Sequence, residues 1–131
     1  MSLDIELRTY YMNHASVRPF IGERMYPQNR PEGAAFPHII YQRVGGPREG
    51  SHDGDSNLAH PRIQMTCCAL TAREADALKT AVIAAAPGFR GIHGDVSVGM
   101  CLAANDGIED YQALTREYRQ IVDLMISYKA I

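Results

Sequence analysis

No apolar stretch in this 131-residue chain approaches the roughly 20 residues that a membrane-spanning helix needs. The N-terminus lacks a long apolar run as well, so no secretory signal is expected. Charge of one sign is not in excess either. Thirteen Lys and Arg stand against fifteen Asp and Glu, for a net charge of −2. No global basic field draws the chain to nucleic acid, and no specific nucleic-acid binding is expected. Lysine is scarce: Lys79 and Lys129 are the only two, and the other cations are arginine. Arginine suits fork-shaped pairing with carboxylates across interfaces better than lysine does, so the imbalance reflects either lineage bias or an interface. Cysteine is sparse and odd in number, with Cys67, Cys68 and Cys101. Neighbours on a strand point to opposite faces, so Cys67 and Cys68 are badly placed to bridge. A reduced, cytosolic history is the simplest reading. A CxxC redox motif is missing. The glycines at Gly45-Gly46 and from Gly88 to Gly94 lack the lysine and hydroxyl residue of a phosphate loop. The seven tyrosines are scattered and not interleaved with cations as on a single-strand binding face.

What remains is ordinary for a globular protein. The length predicts one domain over residues 1–131, able to bury a core without disulfides or metal. Ser2 to about His14 reads as a helix, with Leu3, Leu7, Tyr10, Tyr11 and His14 on one stripe. Pro19 and Gly22 stop it, and Tyr26-Pro27 and Pro31-Glu32-Gly33 are turn chemistry. Phe36 to Val44 is a strand candidate. Arg62 to Leu70 alternates, with Ile63, Met65, Cys67 and Ala69 on one face. Thr71-Ala72-Arg73-Glu74 is a capping box. It opens a helix to about Ala86 whose packing face is Ala75, Leu78, Val82 and Ala85. Ile92 to Ala103 is a third strand, with Val96, Val98, Met100 and Leu102 alternating and Gly94 and Gly99 marking bends or a bulge. Asn105-Asp106-Gly107 signals a turn, and 108–115 reads as a connection. Tyr118 to Tyr128 is the last strand, with Gln120, Val122, Leu124, Ile126 and Tyr128 on one face. The order predicts an α+β fold: an antiparallel or mixed sheet of about four strands packed with two main helices.

Between the first two strands lies GGPREGSHDGDSNLAH, from Gly45 to His60. Only Leu58 and Ala59 in it are apolar, too few to offset the entropy of ordering such a segment. A loop of this length in a compact domain is functional or disordered, and its flanking strands make it the tip of a β-hairpin. His52, Asp53, Asp55 and His60 are its metal-like residues. A calcium loop would need a bidentate glutamate that is absent from the required place. A zinc site wants ligands on rigid elements. A solvated loop is therefore preferred. The alternative is a small metal-binding enzyme or ligand-binding α+β module built on residues 45–60.

In joint order, several of these features resemble the tail-completion (tail-terminator, head–tail joining) proteins of long-tailed bacteriophages. An N-terminal helix leads to Arg24-Met25-Tyr26-Pro27, and the strand from Pro37 to Tyr41 follows. The strand from Arg62 runs into an alanine-rich helix, and Phe89-Arg90-Gly91 opens the next strand. Asp110-Tyr111 precedes a final strand that carries Asp123 and ends at Tyr128. The resemblance covers essentially the whole chain. It implies a structural virion component, not an enzyme, with no cofactor and no membrane. Such subunits form a ring, usually a hexamer, at the end of the tail tube. The ring stops tube growth and joins the tail to the head connector, so the implied partners are other copies, the tail tube protein and the head-completion protein. The implied location is the head–tail interface of a virion or prophage product, made in the bacterial host cytoplasm. With that role, Arg48, Glu49, His52, Asp53, Asp55 and His60 become a candidate interface loop.

Overall fold

The computed structural model describes residues 2–44 and 59–131. The first helix, α1 (Ser2–Asn13), buries Leu3, Leu7 and Tyr11 completely, as its stripe predicts. A short helix, α2 (Arg18–Ile21), follows with Pro19 in its first turn, where a missing donor is harmless. The third helix, α3 (Ala72–Ala85), is capped as expected: Thr71 Oγ1 accepts from the Glu74 amide at 3.1 Å. Its four expected packing residues are all buried. Two tyrosines of α1 reach its far end. Tyr11 donates to the Val82 carbonyl at 2.9 Å and Tyr10 to the Ala85 carbonyl at 2.6 Å. These are carbonyls that a helix terminus leaves without an intrahelical partner.

The described strands form one seven-stranded sheet, curved as a half-barrel. They are β1 (Met25–Pro27), β2 (His38–Arg43), β3 (Arg62–Ala69), β4 (Gly91–His93), β5 (Val96–Ala103), β6 (Ile108–Gln112) and β7 (Glu117–Ala130). The order is β1-β2-β3-β7-β5-β4, with β6 also on β7. Only β1 and β2 pair in parallel; the other ladders are antiparallel. The central strand is β7. It lies between β3 on one side and, on the other, β6 along its first half and β5 along its second.

The expectation of about four strands is corrected to seven. The three extra strands are those whose sequences say least: two are three residues long, one ends in Pro27, and β6 reads IEDYQ. Neighbour pairing, rather than intrinsic preference, makes them strands. Residues 108–115, read as a connection, hold β6 and the turn into β7. Tyr26-Pro27, read as a turn, belongs to β1.

The helices cover one sheet face, where Ile39, Tyr41, Ile63, Met65, Cys67, Val122, Leu124 and Ile126 are buried. One side-chain assignment is reversed. The sequence places Met100 and Leu102 on the face of Val96 and Val98. A bulge between Val98 and Met100 shifts the ladder by one residue, and such a slip exchanges the faces. Cys101 therefore turns into the core, while Met100 and Leu102 turn out and are 40% and 46% exposed.

Candidate interaction surface

Beyond the bulge, β5 and β6 form a nearly continuous strand against β7. Ala103 sits opposite Leu124 and Ile108 opposite Ile121. Five steps on one strand thus match three on the other, and residues near Asn105-Asp106 are looped out. Gly107 closes this irregularity with φ 99°, its amide donating to Asn105 Oδ1 at 3.0 Å. The resulting two-stranded arm ends in the turn 113–116. Of the twelve large apolar residues exposed among those described, seven lie on this arm: Met100, Leu102, Ile108, Tyr111, Leu114, Tyr118 and Met125. Leu114, at the tip, is fully exposed. Isolated exposed apolar residues are normal, but their concentration on one element makes the arm the candidate interaction surface.

The register places the outward residues in rows across the open sheet face. Ile40, Thr66, Ile121 and Ile108 form one row, and Gln42, Gln64 and Asp123 the next. Met125 then stands between Arg62 and Leu102. The face is polar on β2 and β3 and apolar on the arm.

The base of the arm is fixed by a buried polar node. Glu117, the first residue of β7, has no exposed side chain. Its carboxylate accepts two hydrogen bonds from Arg30, at 2.6 and 2.5 Å, one from Thr115 at 2.6 Å and one from Arg119 Nε at 3.1 Å. Burial alone would raise its pKa. The bonds from Arg30, Thr115 and Arg119 outweigh burial and hold the carboxyl well below the usual range. Arg30 also donates to His38 Nε2 at 3.2 Å. A guanidinium cannot accept, so Nε2 is the accepting nitrogen. His38 Nδ1 then carries the proton and donates to the Ala35 carbonyl at 2.9 Å. Burial and the nearby Arg30 charge both lower the His38 pKa, consistent with this neutral tautomer. Cys68 lies beneath the node, its thiol pushed up to about 12 by burial and by Glu117.

His38, Cys68 and Glu117 place their ligand atoms within 4.8 Å of one another. The spacing would suit a cation, but the guanidinium of Arg30 already supplies the positive charge there. It binds both His38 and Glu117, and the carboxylate oxygens are engaged by Thr115 and Arg119 besides. The donor set fits an internal ion pair better than a metal.

Of the residues assigned to an interface loop, Arg48, Glu49, His52, Asp53 and Asp55 lie outside the described residues. So does most of the loop on which a metal site was considered. His60 is described. With Pro61, Met100, Met125 and Ile126 it borders an apolar cavity of about 180 Å³ on the arm. All three cysteines are free and buried; Cys68, on the outward-facing side of β3, is covered and not open on the sheet face. Sequence reasoning missed the node because Arg30 and Glu117 are 87 residues apart. It missed the arm because one bulge reversed the alternation. A second cavity, of about 320 Å³, lies where the arm passes the start of α3, between Ala72 and the side chains of Glu109, Asp110, Tyr111, Tyr118, Arg119 and Gln120.

No helix among the described residues is long and apolar enough to cross a membrane. No curated protein sequence matches the chain. Among solved structures, the fold is similar to a chain described as "Virion of native gene transfer agent (GTA) particle". The TM-score is 0.75 at 12% identity, with 98% of this chain and 95% of that chain covered. The sequence profile described as "Tail completion protein gp17" matches residues 6–128. The chain belongs to the tail completion protein gp17 family.

Proposed function

We propose that the protein closes the end of a phage-type tail tube as a ring of identical subunits, six in number, stopping tube growth and offering the opposite surface to the head connector. Membership in a structural tail family carries the reading. The apolar arm supports it, since ring subunits need heterologous contacts between unlike surfaces. In this reading the chain acts as one domain by presenting surfaces and transforms no substrate. In this reading Arg48, Glu49, His52, Asp53, Asp55 and His60 contribute contacts to the tube or the connector. Negative-stain microscopy of the protein mixed with isolated tail tubes tests this. Rings seated on tube ends are expected. Bare tube ends, with the protein remaining monomeric at high concentration, would overturn the proposal.

A further inference from the structure

The arm carries a protrusion and a recess that one chain cannot bring together. At the tip, Leu114 is fully exposed. Further along, on the sheet face away from the helices, His60, Pro61, Met100, Met125 and Ile126 border the apolar cavity of about 180 Å³. Strand β7 holds the two apart. Met125 lies eight residues beyond Glu117, where the strand leaves the turn. At about 3.3 Å per residue that is about 26 Å, so Leu114 cannot reach the cavity of its own chain.

Size and charge both match. An apolar cavity of about 150 Å³ takes up benzene, and a leucine side chain is no larger than that ring. Each feature has a charge two residues away. Arg116, in the same turn as Leu114, is exposed and has no ion-pair partner among the described residues. Its φ is 55°, a backbone that glycine adopts without strain, so the turn itself gives no reason for an arginine. Asp123 shares the outward face of β7 with Met125. It is half-buried, and its Oδ1 is covered without a hydrogen-bond partner. Arg62 stands diagonally across on β3 but makes no ion pair with it. A covered carboxylate oxygen without a donor is costly until one reaches it.

We propose that Leu114 of one copy seats in this cavity on a second copy, with Arg116 pairing with the second copy's Asp123. The inference rests on the ring reading and names its contact. An apolar protrusion that fits a pocket elsewhere on the same molecule makes a heterologous contact, the type that closes into rings. The apolar pair supplies the attraction by leaving water. The charge pair fixes the direction in which the arm enters.

Sedimentation velocity over a concentration series, in solution and with tail tubes added, tests the contact. Leu114→Ser at the tip and Met100→Glu/Met125→Glu at the cavity are each expected to weaken self-association about tenfold or more. Leu114→Met should keep it, because volume and character are preserved. Arg116→Asn, which the left-handed backbone accepts, should weaken it with thermal unfolding unchanged, as should Leu114→Ser, since both side chains are exposed. A mixture of the tip variant with the cavity variant should form pairs and nothing larger, because only one tip and one cavity remain intact between them. If the wild type associates and Leu114→Ser associates equally well, or the mixture forms no pairs, the contact is wrong while the ring reading stands. If the wild type never associates, alone or on tubes, the ring reading falls and this contact with it.

Discussion

Glu117 shows how one residue couples folding to the arm. Its carboxylate is buried, yet held ionised by Arg30, Arg119 and Thr115. Removing one partner of a buried pair leaves an uncompensated charge, which costs about 3–5 kcal/mol. Arg30→Ala is therefore expected to lower stability by roughly that amount in denaturant unfolding. The double change Arg30→Met/Glu117→Gln should cost less than the sum of the single changes. The pH dependence follows from the direction of the shifts. Glu117 has a lower pKa folded than unfolded, so its contribution is whole above the unfolded value, about 4.3. It is lost as pH falls below that value, because the unfolded chain then binds the proton more readily. His38 is also depressed when folded. Its share is whole above about 6.5 and declines as pH falls from there. Unfolding midpoints between neutral and strongly acid pH should thus fall in two stages. His38→Gln should remove the first stage and Glu117→Gln the second. Midpoints flat with pH in the wild type would contradict the node.

At the scale of elements, two glycines of the arm are expected to behave differently although the sequence marks both as breakers. Gly107 has φ 99°, and a Cβ there would lie 2.8 Å from Lys79 Cδ and 3.0 Å from Gln120 Oε1. Gly107→Ala should cost about 1–3 kcal/mol from the left-handed backbone alone. Gly99 sits at the bulge without a positive φ, and its Cβ would meet nothing closer than the Ser127 carbonyl at 3.7 Å. Gly99→Ala should be tolerated, changing the thermal midpoint little. Equal losses in both variants would mean that the two irregularities are not distinguished as described.

The same arm shows what was legible in the sequence. The two long helices were, with their faces, because stripe and cap are local signals: Leu3, Leu7, Ala75, Leu78, Val82 and the Thr71 cap all fall where spacing places them, whereas the short α2 around Pro19, read only as a stop, was not. The inward face of β7 was legible for the same reason. Strands β1 and β6 were not, since three to five residues of weak preference become strands only through their partners, and β4 was read only as the start of one strand from Ile92 to Ala103, which the turn at Gly94 divides into β4 and β5. Gly99 did signal a bulge, but a signal for a bulge does not fix which residue is extra, and the faces of Met100 and Leu102 depend on that. The Arg30–Glu117 pair carried no local signal at all.

At the scale of the whole molecule, one sheet face is closed by helices and the other is left with a polar half and an apolar half. Folding alone does not require the apolar half. Met100, Leu102 and Met125 are each about two-fifths exposed or more, on the face away from the helices. Substituting them by polar residues removes no buried contact in the core. Surface changes of this kind usually alter stability by less than about 0.5 kcal/mol. An interface residue behaves otherwise: truncating a central apolar anchor costs about 2 kcal/mol or more of binding. The triple variant Met100→Gln/Leu102→Gln/Met125→Gln is therefore expected to keep the wild-type melting temperature in dilute solution while failing to cap tail tubes. Circular dichroism and tube-binding microscopy on one preparation separate the two outcomes. If the variant unfolds early, these residues serve the core of the isolated chain. If it is stable and still caps tubes, the apolar half of the open face is not the surface on which assembly depends.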